Sequence, residues 1–438
     1  MKKLLLLNLL ILPAMLFAQT QKLTLEESIE TGLKNSKDLR ISMSRTVSAN
    51  AKVTEANSQL LPQLKFLAGY TRLSSVPPFE VTMPGVPFPI KISDVILNNY
   101  AFRLSLQQPV FTGLRLTSLK SAAEFNNQAA ESDYSKDVNE ASFKIQSAFW
   151  QLYKAGQMLN LLNENLLQNE RHLEDTKNNL ANGLVTQNDV LKLEVLYSNT
   201  KLQQIEAQNN LDIARMAFNQ ALGLQLNAPT EIDAGNIDTT LTAYRYNEII
   251  KEAKEKRNEL KAMRSRLEAS NEGLRAARSL WFPSVFLNAN YYYNRPNQRI
   301  QPPKDAFRDT WDIGVTLNWD LWNWGYNSSQ TSQAEQTRLQ AETSLEELND
   351  AIELEVYSNY LTYERSSQKI TVSRQSLGQA QENYRIISDK YNVQLATSTD
   401  LIDAETAVLQ AQTNYNNALV DYEIAKTRLE KSLGRRIY

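Results

Sequence analysis

The feature that most constrains the fold of this chain is an internal duplication with a period of about two hundred residues. Residues 25–62 match residues 246–283, and residues 183–189 match residues 394–400. Self-similarity over this length indicates two copies of one structural unit in the same chain. We therefore expect each element found in the first half to have a counterpart in the second half.

The two copies differ mainly in one loop. A Pro-rich stretch at residues 74–99 is longer than its counterpart at residues 295–309. Insertions collect in exposed loops, so we expect both stretches to face solvent. The predicted organisation is a first repeat at residues 19–223, a connector at 224–244, a second repeat at 245–434 and a short C-terminal tail at 435–438.

Each copy predicts the same order of elements. A helix of about 36 residues comes first, and a strand, a loop and a second strand follow it. Next come a helix of about 70 residues, a short break and another helix of about 36 residues. The predicted helices cover residues 25–60, 114–181 and 187–222, and then 246–281, 326–392 and 398–433. At a rise of about 1.5 Å per residue, the longest helices span on the order of 100 Å. Two shorter helices placed end to end would match one long helix.

The long helices carry a coiled-coil pattern. In the second copy the positions that recur every seven residues are Val356, Tyr363, Ile370, Leu377, Tyr384 and Tyr391. In the first copy, apolar residues follow three-four spacing from Val138 to Leu173. Such a repeat predicts left-handed, side-by-side packing of helices. The helices alone leave open a plain periplasmic coiled-coil rod.

Four stretches of about ten residues alternate between apolar and polar side chains, which is typical of strands with two different faces. The apolar positions are Leu64, Phe66, Ala68 and Tyr70; Tyr100, Phe102, Leu104 and Leu106; Val285, Leu287, Ala289, Tyr291 and Tyr293; and Trp311, Ile313, Val315, Leu317 and Trp319. Strands of this length cross an outer membrane when tilted, and aromatic residues near the ends fit an interfacial girdle. A soluble sheet packed on helices would show a similar alternation.

Four strands are too few to close a barrel, since small barrels need about eight. Open strand edges are not tolerated in lipid. If the strands lie in a membrane, the chain must therefore oligomerise, and three copies would supply twelve strands.

The N-terminus carries the pattern of an export signal. Lys2 and Lys3 precede an apolar run at residues 4–12, and Leu16-Phe17-Ala18 offers a cleavage site before Gln19. We expect residues 1–18 to be a signal peptide. A membrane anchor is the alternative, but the run is too short to span a bilayer. No later stretch reaches about 18 apolar residues, so any crossing of a membrane would use strands.

Composition narrows the function classes. The chain has no cysteine, one histidine (His172) and a formal net charge of −2. These values argue against disulfides, thiolate chemistry, most metal sites and nucleic-acid binding. We expect His172 to be a surface or packing residue. No Gly-rich phosphate loop with Lys follows a strand, and we expect no catalytic residues, no cofactor and no metal.

With these elements in place, the mature chain resembles the TolC-like outer-membrane efflux proteins. Residues 108–113 (QPVFTG) are similar to the family's strand-to-helix turn, and residues 320–325 (DLWNWG) occupy the same place in the second copy. Residues 183–191 and 391–404 are similar to the family's periplasmic tips. The duplicated order of helix, hairpin, long helix, tip and helix makes the combination specific.

The resemblance implies a mainly α fold with a small β part. Long antiparallel coiled-coil helices would form a trimeric α-barrel tunnel across the periplasm, continued by a twelve-stranded outer-membrane β-barrel with four strands per subunit. It implies a homotrimer in outer-membrane lipid that works with a periplasmic adaptor (membrane fusion) protein and an inner-membrane pump of the RND, ABC or a similar class. The implied adaptor-docking residues are Gly183, Leu184, Val185 and Thr186, with Gln394, Leu395, Ala396 and Thr397.

The resemblance also implies a periplasmic gate. Its matching positions are Asp189, Tyr391, Asp400 and Asp403. Rings of aspartate would favour cations and disfavour anions. Alternatively, Thr397 and Asp400 fit the spacing of an ordinary helix N-cap. The chain departs from the family at Ala396, where the gate Arg is expected, and at Gln394, where the second tip usually has Gly.

The patterns leave three hypotheses for function. A passive exit duct is favoured, a structural periplasmic coiled-coil protein is the second, and a secreted pore-forming toxin is the third. An enzyme is the least favoured class, because no nucleophile and base stand in a recognisable pattern.

Overall fold

The computed structural model describes residues 22–93, 95–235, 237 and 243–438. The predicted signal peptide at residues 1–18 lies outside the described residues. The elements up to the end of the first copy are β1 (Lys22–Leu23), α1 (Leu25–Asn35), α2 (Lys37–Ser58), β2 (Gln63–Arg72), β3 (Phe79–Val81), β4 (Ile90–Ser93), β5 (Asn98–Phe111), α3 (Arg115–Ala181) and α4 (Gln187–Leu222). They are followed by β6 (Glu231–Ile232), α5 (Tyr246–Lys256), α6 (Asn258–Arg278), a 3-10 turn at Ser279–Trp281, β7 (Ser284–Arg295), β8 (Arg308–Asn318), α7 (Tyr326–Asn392) and α8 (Ser398–Ser432).

The bounds of α3, α4, α7 and α8 confirm the four helices predicted around the tips, to within one residue. Heptad positions explain why these helices persist. Val356, Tyr363 and Ile370 are buried, as are Ile145 and Leu152 of the first copy. No helix in the described ranges is both long enough and apolar enough to cross a membrane.

The prediction of one unbroken helix before the first strand of each copy was wrong. The first such helix breaks at Ser36 and the second at Arg257, where the backbone is extended. At the first break, Asn35 Nδ2 donates to Leu222 O at 3.1 Å. At the second, Arg257 Nη1 donates to Ser432 O at 3.3 Å. Each break thus caps a free carbonyl at the end of a facing helix, which the local sequence pattern does not reveal.

A glycine makes each of these close approaches feasible. Gly223 follows α4 with φ of +70°, and a Cβ there would lie 2.8 Å from Asn35 Cβ. Gly434 follows α8 with φ of +75°, and a Cβ there would lie 2.8 Å from the backbone N of Arg257. A larger residue would push each break away from the helix end that it caps.

The described residues fall into two compact units. The first holds residues up to 41 together with 136–257 and 352–438, and its core is built around aromatic side chains. The ring of Phe149 meets Trp150 edge to face at 5.4 Å and Phe218 at 6.0 Å, and both phenylalanines are fully buried. Strands β1 and β6 form a two-stranded parallel sheet in this unit.

The second unit comprises residues 42–135 and 258–351 and contains the main sheet. Its strand order is β2-β5-β7-β8, and every pair is antiparallel. These are the four predicted strands, and the structure confirms them. Strands β3 and β4 form a separate hairpin within the long loop between β2 and β5. They were not predicted because segments this short show no measurable alternation.

Candidate functional site: the two-faced sheet and the helix tips

The register of the main sheet gathers the apolar side chains onto one face. One row across the four strands reads Leu64, Leu106, Ala289 and Ile313, and the next reads Phe66, Leu104, Tyr291 and Trp311. The exposed fractions are 67% for Phe66 and 65% for Ile313. A continuous exposed apolar face of this kind marks contact with lipid or with another apolar surface.

The opposite face of the sheet is polar. Asn288 Nδ2 donates to Thr316 Oγ1 at 2.9 Å, and Asn290 Nδ2 donates to Asp312 Oδ1 at 2.8 Å. These bonds join β7 to β8 side by side along the face. The sheet is therefore built to separate an apolar medium from water.

Aromatic residues collect at both ends of the sheet, as the sequence predicts for an interfacial girdle. At one end the rings of Tyr70 and Tyr100 lie 5.0 Å apart, and those of Tyr293 and Phe307 lie 5.1 Å apart. At the other end the exposed indoles are Trp281, Trp319, Trp322 and Trp324. The indoles of the turn between β8 and α7 were missed as part of this girdle because they lie beyond the alternating strand.

The two tip turns have the same geometry. At the α3–α4 turn, Gly183 has φ of +71° and Leu184 N donates to Asn179 O at 2.9 Å. At the α7–α8 turn, Gln394 has φ of +63° and Leu395 N donates to Lys390 O at 2.8 Å. A left-handed Gln costs about 1 kcal/mol relative to Gly, so the fold enforces this turn without the usual residue.

Apolar side chains project from both tips into solvent. The exposed fractions of Leu184 and Leu395 are 55% and 77%. Between the hairpins, Lys192 Nζ donates to Thr399 Oγ1 at 3.0 Å. The eight residues implied as docking sites thus lie in two equivalent exposed turns, of which Val185 is the half-buried member of the first.

Each tip ends in a capping box that uses one of the predicted gate carboxylates. Asp189 Oδ2 accepts from Thr186 N at 3.0 Å and from Thr186 Oγ1 at 2.6 Å. Asp400 Oδ2 accepts from Thr397 N at 2.8 Å and from Thr397 Oγ1 at 2.6 Å. The threonine hydroxyl, followed by the backbone N–H, holds the pKa of both aspartates below the ordinary value. The interpretation of Thr397 and Asp400 as a helix N-cap is therefore confirmed. The role of Asp400 in a gate stays a prediction.

The remaining two predicted gate residues lie elsewhere on the tip. The hydroxyl of Tyr391 is 3.3 Å from Thr176 Oγ1 and so joins α7 to α3. Asp403 is exposed on α8, one turn beyond Asp400. The structure places the four residues near the tips without bringing their side chains into one cluster.

A polar network that the sequence did not indicate surrounds His172. Its Nε2 lies 2.9 Å from Oε1 of Glu405, whose side chain is buried. The same oxygen accepts from Gln168 Nε2 at 3.0 Å, and Gln168 also contacts the hydroxyl of Tyr384. The hydrogen bond to Glu405 raises the pKa of His172, against the opposing effect of burial. His172 thus links α3 to α8 through its contact with Glu405, which is an ion pair when the imidazole is protonated, and it is not only a packing residue.

The His, Cys, Asp and Glu side chains are the residues that most often bind metal ions in proteins. Within the described ranges no three of them are placed to hold a metal ion.

A protein-family model described as "Outer membrane efflux protein" matches residues 29–224 and 249–435. The gap between the two segments covers the stretch that leads from α4 into α5. The chain belongs to the outer membrane efflux protein family. Its two matched segments together take in both tips and all four strands of the main sheet.

Relatives of this efflux protein include TolC proteins of two bacteria. The TolC of Vibrio cholerae is 23% identical over 384 residues, covering 87% of this chain and 84% of the relative. The TolC of Escherichia coli is 24% identical over 412 residues, covering 91% and 79%. Among solved structures, the outer membrane protein VceC of Vibrio cholerae is similar with a TM-score of 0.79 at 20% identity, covering 94% of this chain and 97% of VceC.

These findings confirm the predicted fold class, location and general function. The efflux protein is mainly helical with a small sheet part and shares the fold of TolC-like tunnel channels. It is a channel subunit of the bacterial outer membrane with a tunnel in the periplasm, and it works in tripartite efflux systems. Channels of this family form trimers, and the family is one of ducts and not of enzymes. The conduit hypothesis is thereby favoured over the rod and the toxin.

Proposed function

We propose that three copies of this efflux protein close a twelve-stranded barrel in the outer membrane, and that their tips dock a periplasmic adaptor and through it an inner-membrane pump. The observation that carries the proposal is the main sheet, which has one exposed apolar face, one polar face and two edges. In the part of the chain that the structure describes, β2 pairs only with β5, and β8 pairs only with β7. Unpaired edges are not stable in lipid.

The strand directions support closure by identical copies. Because the sheet has an even number of antiparallel strands, β8 of one copy runs opposite to β2 of the next. The same antiparallel pairing can therefore continue from copy to copy around a ring. Twelve strands, tilted as in known barrels, give a diameter of roughly 24 Å between facing backbones.

An exposed stripe on α4 supports contact between copies at the level of the helices. Its members recur along one side of the helix and are exposed in the single chain; they are Leu191, Val195, Leu202, Ile205, Ile213 and Met216. Exposed apolar residues on α7, among them Leu354 and Val372, offer a surface of the same kind. We propose that the α4 stripe packs against α7 of the next copy.

The trimer is tested with a charge placed in the α4 stripe. Leu202→Glu should reduce the trimeric fraction in native mass spectrometry of detergent-extracted protein, because the carboxylate would be buried between copies. Gln203→Glu adds the same charge at the neighbouring exposed position and should leave the trimer intact. A monomer as the main species of the unaltered protein would contradict the proposal.

Docking at the tips follows from their exposed turns. Leu184 and Leu395 present apolar side chains beside exposed backbone, where a helical hairpin of another protein can interlock. The energy for export would come from the pump, of the RND, ABC or a similar class, since the sequence contains no phosphate-binding loop. Outer-membrane lipid would cover the apolar face of the sheet.

The docking proposal is tested by photo-crosslinking in living cells. A photoreactive residue at Leu184 or Leu395 should form an adduct with a periplasmic protein whose sequence contains a long helical hairpin. The same residue at Asp212, which lies on α4 far from the tip, should not form this adduct. Identical adducts from all three positions would show that the tips have no special role.

A further inference from the structure

The polar face of the main sheet carries more cations than anions. The charged residues that the strands place on this face are Lys65, Arg103, Arg308 and Asp312. A further cation, Arg299, reaches the face from the loop between β7 and β8. The balance of charge on this face therefore depends on which of these groups are paired.

Asp312 is neutralised within its own chain. Its Oδ2 is paired with Arg299, whose guanidinium also lies 4.7 Å from the ring centre of Tyr292 and donates to Trp311 O at 3.3 Å. Lys65, Arg103 and Arg308 have no ionic or side-chain hydrogen-bonded partner within the described ranges. The face thus keeps these cations uncompensated.

The register places the three uncompensated cations in successive rows. Lys65 lies opposite Ser105, two residues along β5 from Arg103. Arg103 lies opposite Tyr292, and Arg308 lies opposite Asn294, two residues farther along β7. Two residues along a strand correspond to about 7 Å. We call these three residues the cation ladder. It runs from the middle of the sheet toward the end at which loops join β2 to β5 and β7 to β8.

We propose that the cation ladder forms an anion-conducting path in the outer half of the channel, and that the exported molecules which use it carry phosphate, sulfate or carboxylate groups. This inference rests on the proposed closure of the barrel by three copies. In the closed barrel, each residue of the cation ladder would occur three times and form a ring of three positive charges. In a barrel roughly 24 Å across, Arg and Lys side chains bring their charges within about one Debye length of the axis. An anion passing along the axis would be attracted by each ring in turn.

The cation ladder is positively charged, whereas the charge predicted for the tips is negative. Aspartates at the periplasmic end would favour cations, whereas the rings in the sheet would favour anions. An anionic group that has passed the tips would therefore gain a favourable site in the barrel and would be hindered from returning toward the acidic end.

The absence of cysteine makes a direct test possible. Ala101→Cys puts a single thiol on the polar face, in the same row of the sheet as Arg308, and Leu104→Cys puts one on the apolar face. Purified trimers in liposomes would be treated with an anionic or a cationic methanethiosulfonate reagent. The measured quantity is the rate of thiol modification by the anionic reagent divided by the rate for the cationic reagent. At Ala101→Cys we expect the anionic reagent to react faster, relative to free cysteine, by about tenfold at low salt.

Neutral variants identify the source of the preference. Lys65→Gln, Arg103→Gln and Arg308→Gln together should remove the preference, whereas Arg103→Lys should retain it. Arg72→Gln is the control, because Arg72 projects from the apolar face and its loss removes one positive charge, as does each of the three substitutions. A rate ratio equal to that of free cysteine, or one unchanged by the three substitutions, would overturn the inference. Equal reactivity of Leu104→Cys and Ala101→Cys would instead overturn the proposed barrel, since both faces would then be in water.

Discussion

His172 shows how one side chain can couple two helices that are distant in sequence. Its partner Glu405 has an exposed fraction of 5%, so the carboxylate depends on His172 and Gln168 for compensation. The hydrogen bond to Glu405 is the main cause of the raised pKa of His172, and the negative charge of Asp175 acts in the same direction. When the pKa of a histidine is higher in the folded state than in the unfolded state, its contribution to stability is largest at pH values below the unfolded pKa.

We predict a pH-dependent loss of stability for His172→Gln. The contribution of the pair is full below the ordinary histidine pKa and disappears as the pH rises through the raised value. The variant should therefore lose about 2 kcal/mol at about pH 5.5 and much less at about pH 9. Thermal unfolding of the detergent-extracted protein at both pH values measures the difference. Arg171→Gln, an exposed neutralisation next to His172, should show no such pH dependence, and an equal loss at both pH values would contradict the assignment.

At the scale of the element, the helices end where a side chain or a turn satisfies their free backbone groups. Thr186 and Thr397 cap the helices that start at the two tips, and each shares its cap with an aspartate. The two tips keep the same hydrogen bonds although one has Gly and the other Gln at the left-handed position. Tip geometry is therefore set by the helices that flank the turn and not by glycine alone.

The cap and the predicted gate make different predictions for Asp400. Asp400→Asn combined with Asp403→Asn should weaken block of the channel by multivalent cations in planar-bilayer recordings, because it removes negative charge from the entrance. Thr397→Ala removes the cap, at a cost of about 1 kcal/mol, and keeps both carboxylates. It should therefore preserve the block. An unchanged block in the double variant, or an equal loss in Thr397→Ala, would remove the aspartates from the gate.

At the scale of the whole molecule, the two-faced sheet is what makes the chain a membrane protein. Its apolar rows are exposed in the single chain, and its polar face carries the asparagines and the cation ladder. Neither edge strand has a second partner within the described ranges. The proposed closed ring in lipid would pair both of these edges.

A charge placed on the apolar face should prevent assembly. Leu317→Arg puts a guanidinium in lipid at a cost of about 2–4 kcal/mol per copy near the midplane, and less near the interface. We expect loss of the trimer from outer-membrane fractions. Thr316→Arg places the same charge on the adjacent polar face and should still assemble. Normal amounts of trimer from both variants would argue against a lipid-facing role for this face.

The sequence by itself determined the four helices around the tips and the four strands of the main sheet. Heptads and strict alternation are local patterns, so they located four helices and four strands and indicated which residues share a face. The duplicated order of these elements, together with the turn and tip motifs, is typical of the family. The boundaries of α3, α4, α7 and α8 were predictable to within a residue because a capping threonine or a terminal glycine marks most of their ends.

Only the tertiary structure decided which distant residues meet. The breaks at Ser36 and Arg257 exist because Asn35 and Arg257 cap helix ends that are far away in sequence. The pairing of His172 with Glu405 and the order of the cation ladder likewise depend on helix packing and strand register. Periodicity assigns a residue to a face, but its neighbour on that face belongs to another part of the chain, and only the folded backbone brings the two together.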